Sequence, residues 1–238
     1  MTMTDIQFTQ GHWRQFWSNY KDLSHQQAAI ELLRQHISKA DPALLTDAAE
    51  WVAAWRAAEP APAGVITPEV MHRLTGYRAA AFDQHFCDDF NRLLQASGFA
   101  EHPQARNMLI ANILHETGGT LYFKELASGE AYNNRSDLGN GPNDGHKYRG
   151  GGCLQLTGRY NYSRLAKAVN DERVMEGCDY VADAYPFMSA LPWIQENHLL
   201  DVCLNRGFDA CVRRINGGTT GLADRQQWYA KVNQVLGS

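Results

Sequence analysis

The segment from Gln104 to Glu116 constrains this chain more than any other. Its pattern is helical, and Met108, Ile110, Ala111, Ile113 and Leu114 spread apolar side chains nearly all the way round it. A helix without a polar face cannot lie on a surface, so this one has to sit at the centre of a domain. His102-Pro103 opens it and Thr117-Gly118-Gly119 breaks it.

Other helices must surround that centre. Ile66-Thr-Pro-Glu69 sets a threonine before proline, a helix-entry signal. Residues 78–96 put Ala81, Phe82, Phe86, Phe90, Leu93 and Leu94 on one face, up to a stop at Gly98. Helical patterns return over 160–170, 179–188, 192–204, 209–215 and 222–236. With no strand pattern of any length and no repeat, the class is mainly α. Residues 1–59 read as a separate small helical module, in which Trp13, Phe16, Trp17, Trp51 and Trp55 recur at helical spacing. Aromatics so spaced form the core of a small bundle more often than a sugar-stacking surface. Residues 60–65 read as a short, stiff linker, and 66–238 as the main domain.

Charge and composition narrow the function. Lys and Arg number 22 against 26 Asp and Glu, a formal net charge of -4, which offers no basic field for a phosphate backbone and argues against nucleic acid. No apolar run approaches the ~18 residues of a spanning helix, so membrane insertion is not expected. The amino terminus lacks the charged start, apolar stretch and small-residue cleavage site of a secretory signal, and synthesis is expected to end in the cytoplasm. The five cysteines form no CxxC pair and are expected as buried free thiols. The nine histidines are scattered, and Gly119 stands where an HExxH motif needs its second histidine, so no metal is expected.

Chemistry concentrates between residues 115 and 162. His115 and Glu116 end the buried helix, a place where a carboxyl can be kept protonated as a general acid requires. Glu125 follows nine residues later and Glu130 five after that, beyond a glycine break that lets the loop cross a cleft. Two carboxyls about 6.5–9.5 Å apart would leave room for the water of an inverting glycoside hydrolysis. From residue 127 to 152 glycine and asparagine dominate, a long irregular stretch of the kind that carries function. It leads into the run from Tyr148 to Tyr162, where Gly150, Gly151 and Gly152 allow close backbone approach and Gln155, Thr157 and Asn161 supply groups suited to sugar hydroxyls or a positioned water. Asn216 belongs to a turn signal, Ile215-Asn-Gly-Gly218.

In this order the segments resemble glycoside hydrolase family 19, the chitinase class that also includes phage and bacterial peptidoglycan-cleaving endolysins. The matching text is HETGG (115–119), the glutamate at 125, SGEAYNNRSDLGN (128–140) with GPNDGHKYRGGG (141–152), LQLTGRYNY (154–162) and INGGTTGLADR (215–225). The resemblance implies a lysozyme-like, two-lobed helical fold over residues 66–238 that uses no cofactor. It implies Glu116 as general acid, Glu125 as the base that activates water, and Thr157 as a holder of that water. His115, Tyr148, Gln155, Asn161 and Asn216 would contact substrate, and Arg225 would line the cleft and orient the second carboxylate.

Two positions depart from the family pattern. Gly151 replaces the arginine of a Gly-Arg-Gly sequence, with Arg149 a substitute one register away, and Asn133 replaces a frequent glutamate, which makes Glu130 the reserve base. The expected substrate is peptidoglycan, with chitin as the alternative, and a non-catalytic glycan-binding protein is a reading of a different class. The protein is expected to act as a monomer in the periplasm or cell wall after holin or secretion-system delivery, with any secretion or immunity partner undefined.

Overall fold

The computed structural model describes residues 64–237, so the helical module expected over 1–59, its aromatic cluster and linker residues 60–63 lie outside the described residues. Those described are mainly α, with only two isolated β-bridges, Lys124 to Gly151 and Gly151 to Leu156. Helix α1 (Pro68–Thr75) begins as its entry signal implies, Thr67 accepting from the Val70 N–H at 3.1 Å. Helix α2 (Gln84–Ala96) is shorter than the expected 78–96, because Asp83 caps it by accepting from the Phe86 N–H at 2.8 Å and leaves 79–81 as a separate 3-10 turn.

Helix α3 (Pro103–Glu116) is the hub. Every residue from Ala105 to Leu114 is buried, including Arg106, Asn107 and Asn112, whose polar groups therefore need partners. Asn107 donates to Asn233 Oδ1 at 2.8 Å and to the Gly237 carbonyl at 2.6 Å, tying the start of α3 to the end of the last described helix. After α3 come α4 (Asp144–Lys147), α5 (Arg159–Val169) and α6 (Cys178–Ala184).

The expected helices 192–204 and 209–215 are divided differently. Helix α7 (Leu191–Glu196) stops early, and α8 (Leu199–Asn216) starts after His198, which takes the left-handed φ of 49°. Gly207 kinks α8 (φ 73°, ψ -169°), a conformation that a Cβ would strain. Helix α9 (Leu222–Leu236) packs along α3, as does α8.

Two hydrophobic cores result, one for each lobe. The larger surrounds α3, with Phe90 stacked on Phe187 at 4.0 Å and Phe86 and Phe123 set edge-on to Phe187. The smaller holds Tyr148, Leu156, Tyr162, Leu165, Val174 and Val181. The glycine-rich chain from 148 to 156 leaves the smaller core at Tyr148, sets Cys153 into the larger one and returns at Leu156. That excursion joins the lobes and fixes the loop at both ends. All five cysteines are free and buried, Cys203 and Cys211 among them.

Candidate active site

After the buried run from Ala105 to Leu114, helix α3 comes to the surface again at its last two residues, His115 and Glu116, which are half-buried. The Thr117 hydroxyl closes the helix by donating to the Ile113 carbonyl at 2.7 Å. Gly118, Gly119 and Thr120 then take φ of 58°, 76° and 79° in succession, a reversal that glycine permits at two of the three positions and that strains Thr120.

Arg225, in the first turn of α9, is 1% exposed. A guanidinium so deep must be paired, and Arg225 Nη2 donates to Glu116 Oε1 at 2.5 Å while Nη1 donates to Asn112 Oδ1 at 2.8 Å. The expectation that Arg225 orients the second carboxylate is therefore corrected: it holds the first, because α9 packs along α3 rather than on the loop that carries Glu125. One residue earlier, Asp224 Oδ2 lies 2.6 Å from His115 Nδ1, and the His115 ring abuts Gly221, where a Cβ would come within 2.6 Å of Nε2. His115, expected to contact substrate, is engaged in tying α3 to α9.

Glu125 is positioned by a different device. Residues 123–125 run antiparallel to 150–152, the Glu125 N–H donating to the Gly150 carbonyl at 2.9 Å and the Gly152 N–H to the Phe123 carbonyl at 2.7 Å. The Gly150 N–H donates back to Glu125 Oε2 at 2.9 Å, and the Tyr132 hydroxyl donates to Oε1 at 3.0 Å. Burial first, and then the bond to Glu125, push the Tyr132 phenol above its usual range, which keeps it a donor. Gly150 has no room for a side chain, since a Cβ would stand 2.5 Å from Gln155 Oε1 and 3.1 Å from Glu125 Oε2. Glu130 is exposed on the 3-10 turn Glu130–Tyr132, and it is Tyr132 of that turn that meets Glu125.

Three residues after Gly150, burial pushes the Cys153 thiol far above its usual range, so it stays a neutral part of the core. Glu116 is thus fixed from α9, through Arg225, and Glu125 from the glycine-rich turn, through the Gly150 N–H. One acid is gripped by a buried cation and the other by neutral donors, so the two sit in unlike surroundings.

The remaining candidates fall into two groups. Gln155, Thr157 and Asn161 stay half-buried at the turn: Gln155 Nε2 donates to the Gly152 carbonyl at 3.1 Å, the Thr157 hydroxyl to the Gln155 carbonyl at 2.8 Å, and Asn161 Nδ2 to the Thr157 carbonyl at 2.8 Å. Their free acceptors remain for a ligand. Asn216 is half-buried at the last residue of α8, before the left-handed Gly217. Tyr148 does not belong with them, a correction to its expected substrate contact: it is 2% exposed in the smaller core, and its hydroxyl donates to the Met175 carbonyl at 3.3 Å. As an aromatic at the foot of the loop it anchors the excursion.

The departures at 151 and 133 also find their places. A Cβ at Gly151 would lie 2.7 Å from the Tyr162 hydroxyl, which donates to the Arg149 carbonyl at 2.7 Å. Arg149 does not replace the absent arginine: its guanidinium donates to the main-chain carbonyls of His146 at 2.8 Å and Glu125 at 3.4 Å, and lies 3.7 Å from Asp179. Asn133 Oδ1 accepts the Gly145 N–H at 2.8 Å, a backbone tie. Four groups escaped the sequence reading: Asn112, Tyr132, Asp224 and the Gly150 N–H. Asn112 had a signal, a polar residue four positions before Glu116 in an otherwise apolar segment and hence on the same face.

No protein-family model matches the chain. Endochitinase A of Zea mays is 30% identical over 107 residues, which take in 45% of this chain and 38% of that protein. The chain spans well under half the length of the plant endochitinases it matches. A glycosyl hydrolase family 19 domain-containing protein of Haemophilus influenzae is 32% identical over an alignment of 156 residues that takes in 51% of this chain and 75% of that protein. Among solved structures, chitinase C of Streptomyces griseus HUT6037 superposes with a TM-score of 0.56 at 20% identity, over 74% of this chain and 95% of that one. A bacterial family 19 chitinase superposes with a TM-score of 0.58 at 21% identity, over 73% and 95%. These superpositions establish the lysozyme-like helical fold.

Proposed function

This chain belongs to glycosyl hydrolase family 19, and on that premise we propose that it hydrolyses the β-1,4 glycosidic bonds of peptidoglycan, with inversion, by paired acid and base catalysis. The observation that carries this reading is the pair of differently held carboxylates, Glu116 on the buried Arg225 and Glu125 on the Gly150 N–H and the Tyr132 hydroxyl. Glu116 is the general acid. Its Oε1 is committed to Arg225, which aims the carboxyl, and its proton passes to the leaving glycosidic oxygen.

Glu125 is the base. With Oε1 and Oε2 each accepting one hydrogen bond, its remaining lone pairs can take a proton from a water attacking the opposite face of the sugar. Thr157 holds that water, and Gln155, Asn161 and Asn216 contact the sugar. One proton leaves through Glu116 and one arrives at Glu125 in each turnover, so the pair is reset by exchange with solvent. The protein would work as a monomer in the periplasm or cell wall, carried there through a holin pore or a secretion apparatus.

Chitin is the second reading, favoured by the names of the plant relatives. Mass spectrometry of purified sacculi, set beside sugar release from colloidal chitin, separates the two. New reducing ends in sacculi support the proposal, and activity on chitin without any on sacculi replaces it. Binding to either polymer without cleavage would leave a glycan-binding protein.

A further inference from the structure

Helix α8 bends at Gly207, and residues from both sides of the bend, Val202, Arg206, Ala210, Arg213 and Arg214, line a concavity of about 280 Å³. Val202 and Arg206 come from the arm before the kink and Ala210, Arg213 and Arg214 from the arm after it, so the two arms of α8 build it together. Val202 and Ala210 give it an apolar floor, and the three arginines are exposed. None of the three has an ion pair or side-chain hydrogen bond with a described residue. Asp201 and Asp209 are on the same helix but do not line the concavity. In a chain of net charge -4, three guanidiniums without a partner among the described residues form, around one hollow, a local reversal of sign.

We propose that this elbow is a subsite for the carboxylates of the peptidoglycan stem peptide. The inference rests on the hydrolase reading of Asn216 as a sugar contact, and names what lies beside that sugar. Helix α8 ends at Asn216, and Arg213 precedes it by three residues, about 4.5 Å along a helix axis. The peptide hanging from a muramic acid seated near Asn216 extends over the last turns of α8, at up to ~3.5 Å per residue. Its free carboxylates match the planar fork of arginine, which binds such groups bidentately. Chitin, an uncharged polymer of acetamido sugars, offers these arginines nothing.

The test is calorimetric titration of the full-length protein with soluble glycan strands that keep their stem peptides, freed from cross-links by an endopeptidase, against the same strands stripped by an amidase. The peptide-bearing strands should bind at least about tenfold more tightly, a gap that narrows as salt is raised. R206Q/R213Q/R214Q should lose that gap while binding N-acetylglucosamine oligomers as the wild type does. R206K/R213K/R214K, which keeps the charge, should retain part of it. Equal affinity of the wild type for both strands, or an unchanged gap in the glutamine variant, overturns the inference while leaving hydrolysis unaffected. Binding of phosphatidylglycerol vesicles lost in the glutamine variant, with no gap between strands, also overturns it and makes the elbow a lipid contact. A gap that persists in a protein that cleaves neither polymer sinks the hydrolase reading and supports the subsite.

Discussion

Arg225 holds Glu116. The contact is 2.5 Å long, it comes from a residue 1% exposed, and it spans 109 positions of sequence. Asn112 braces the same guanidinium from one turn back in α3, so the acid's position depends on how α9 lies against α3.

Removing the acid separates chemistry from support. Glu116→Gln should lower turnover at least about 100-fold, while stability changes little because the amide oxygen still accepts from Arg225. Glu116→Ala should in addition destabilise by about 3 kcal/mol, since it leaves a buried cation with only Asn112 as partner. Sugar-release rates and urea midpoints on both variants check this, and full lysis by Glu116→Gln would reject the acid assignment.

Arg225→Lys tests the fork. A point charge on a flexible stem cannot serve Asn112 and Glu116 together at their present positions. We expect a fall of about tenfold or more in kcat with KM little altered, together with a lowered thermal midpoint. An unchanged kcat would show that the charge alone suffices.

The grip on Glu125 is tested by Tyr132→Phe and Gly150→Ala. Loss of the Tyr132 hydroxyl removes one neutral hydrogen bond and should cost about 1 kcal/mol in stability and up to about tenfold in rate. Gly150→Ala drives a methyl toward Gln155 and Glu125 and should be the more damaging of the two. Glu130→Gln should leave the rate unchanged; a collapse of activity there would move the base to Glu130.

A pH dependence of stability resides in Asp89. Its Oδ2 accepts the N–H groups of Phe187 and Met188 at 2.7 and 3.0 Å, whereas its Oδ1 has no partner. Burial is the largest influence and pushes the carboxyl up to about 6 from its ordinary 3.8, against the pull of those two N–H groups, His85 and Arg92. A raised pKa means that the folded state favours the protonated acid. The associated stability is complete below pH 3.8 and is lost as pH rises through about 6, on the order of 3 kcal/mol across the window. Asp89→Asn should flatten that slope in urea midpoints taken from pH 4 to 7, and parallel curves for the two proteins would refute it.

Much of the candidate site was legible because its residues are local in sequence. Glu116 follows from the end of an all-round apolar helix, and the 148–162 run announces itself by three glycines beside amide and hydroxyl side chains. Tyr148 lies in the smaller core instead, because periodicity does not say whether an aromatic beside a loop faces a core or a cleft. The interruptions at Asn197–His198 and Gly207 were likewise only partly visible, since a left-handed residue inside a helical pattern costs little enough to be outweighed by packing.

What the sequence alone determined is the helical class, the buried hub and the residue types available for acid–base chemistry, all consequences of periodicity and short-range sterics. What the tertiary structure decided is who holds whom: Arg225 on Glu116 rather than Glu125, Tyr132 and the Gly150 N–H on Glu125, Tyr148 in the core, and three arginines gathered at a bend in α8. Arg225 and Glu116 stand 109 positions apart and Gly150 and Glu125 25, and burial makes an unpaired charge or polar group costly enough that packing, not local sequence, selects such partners.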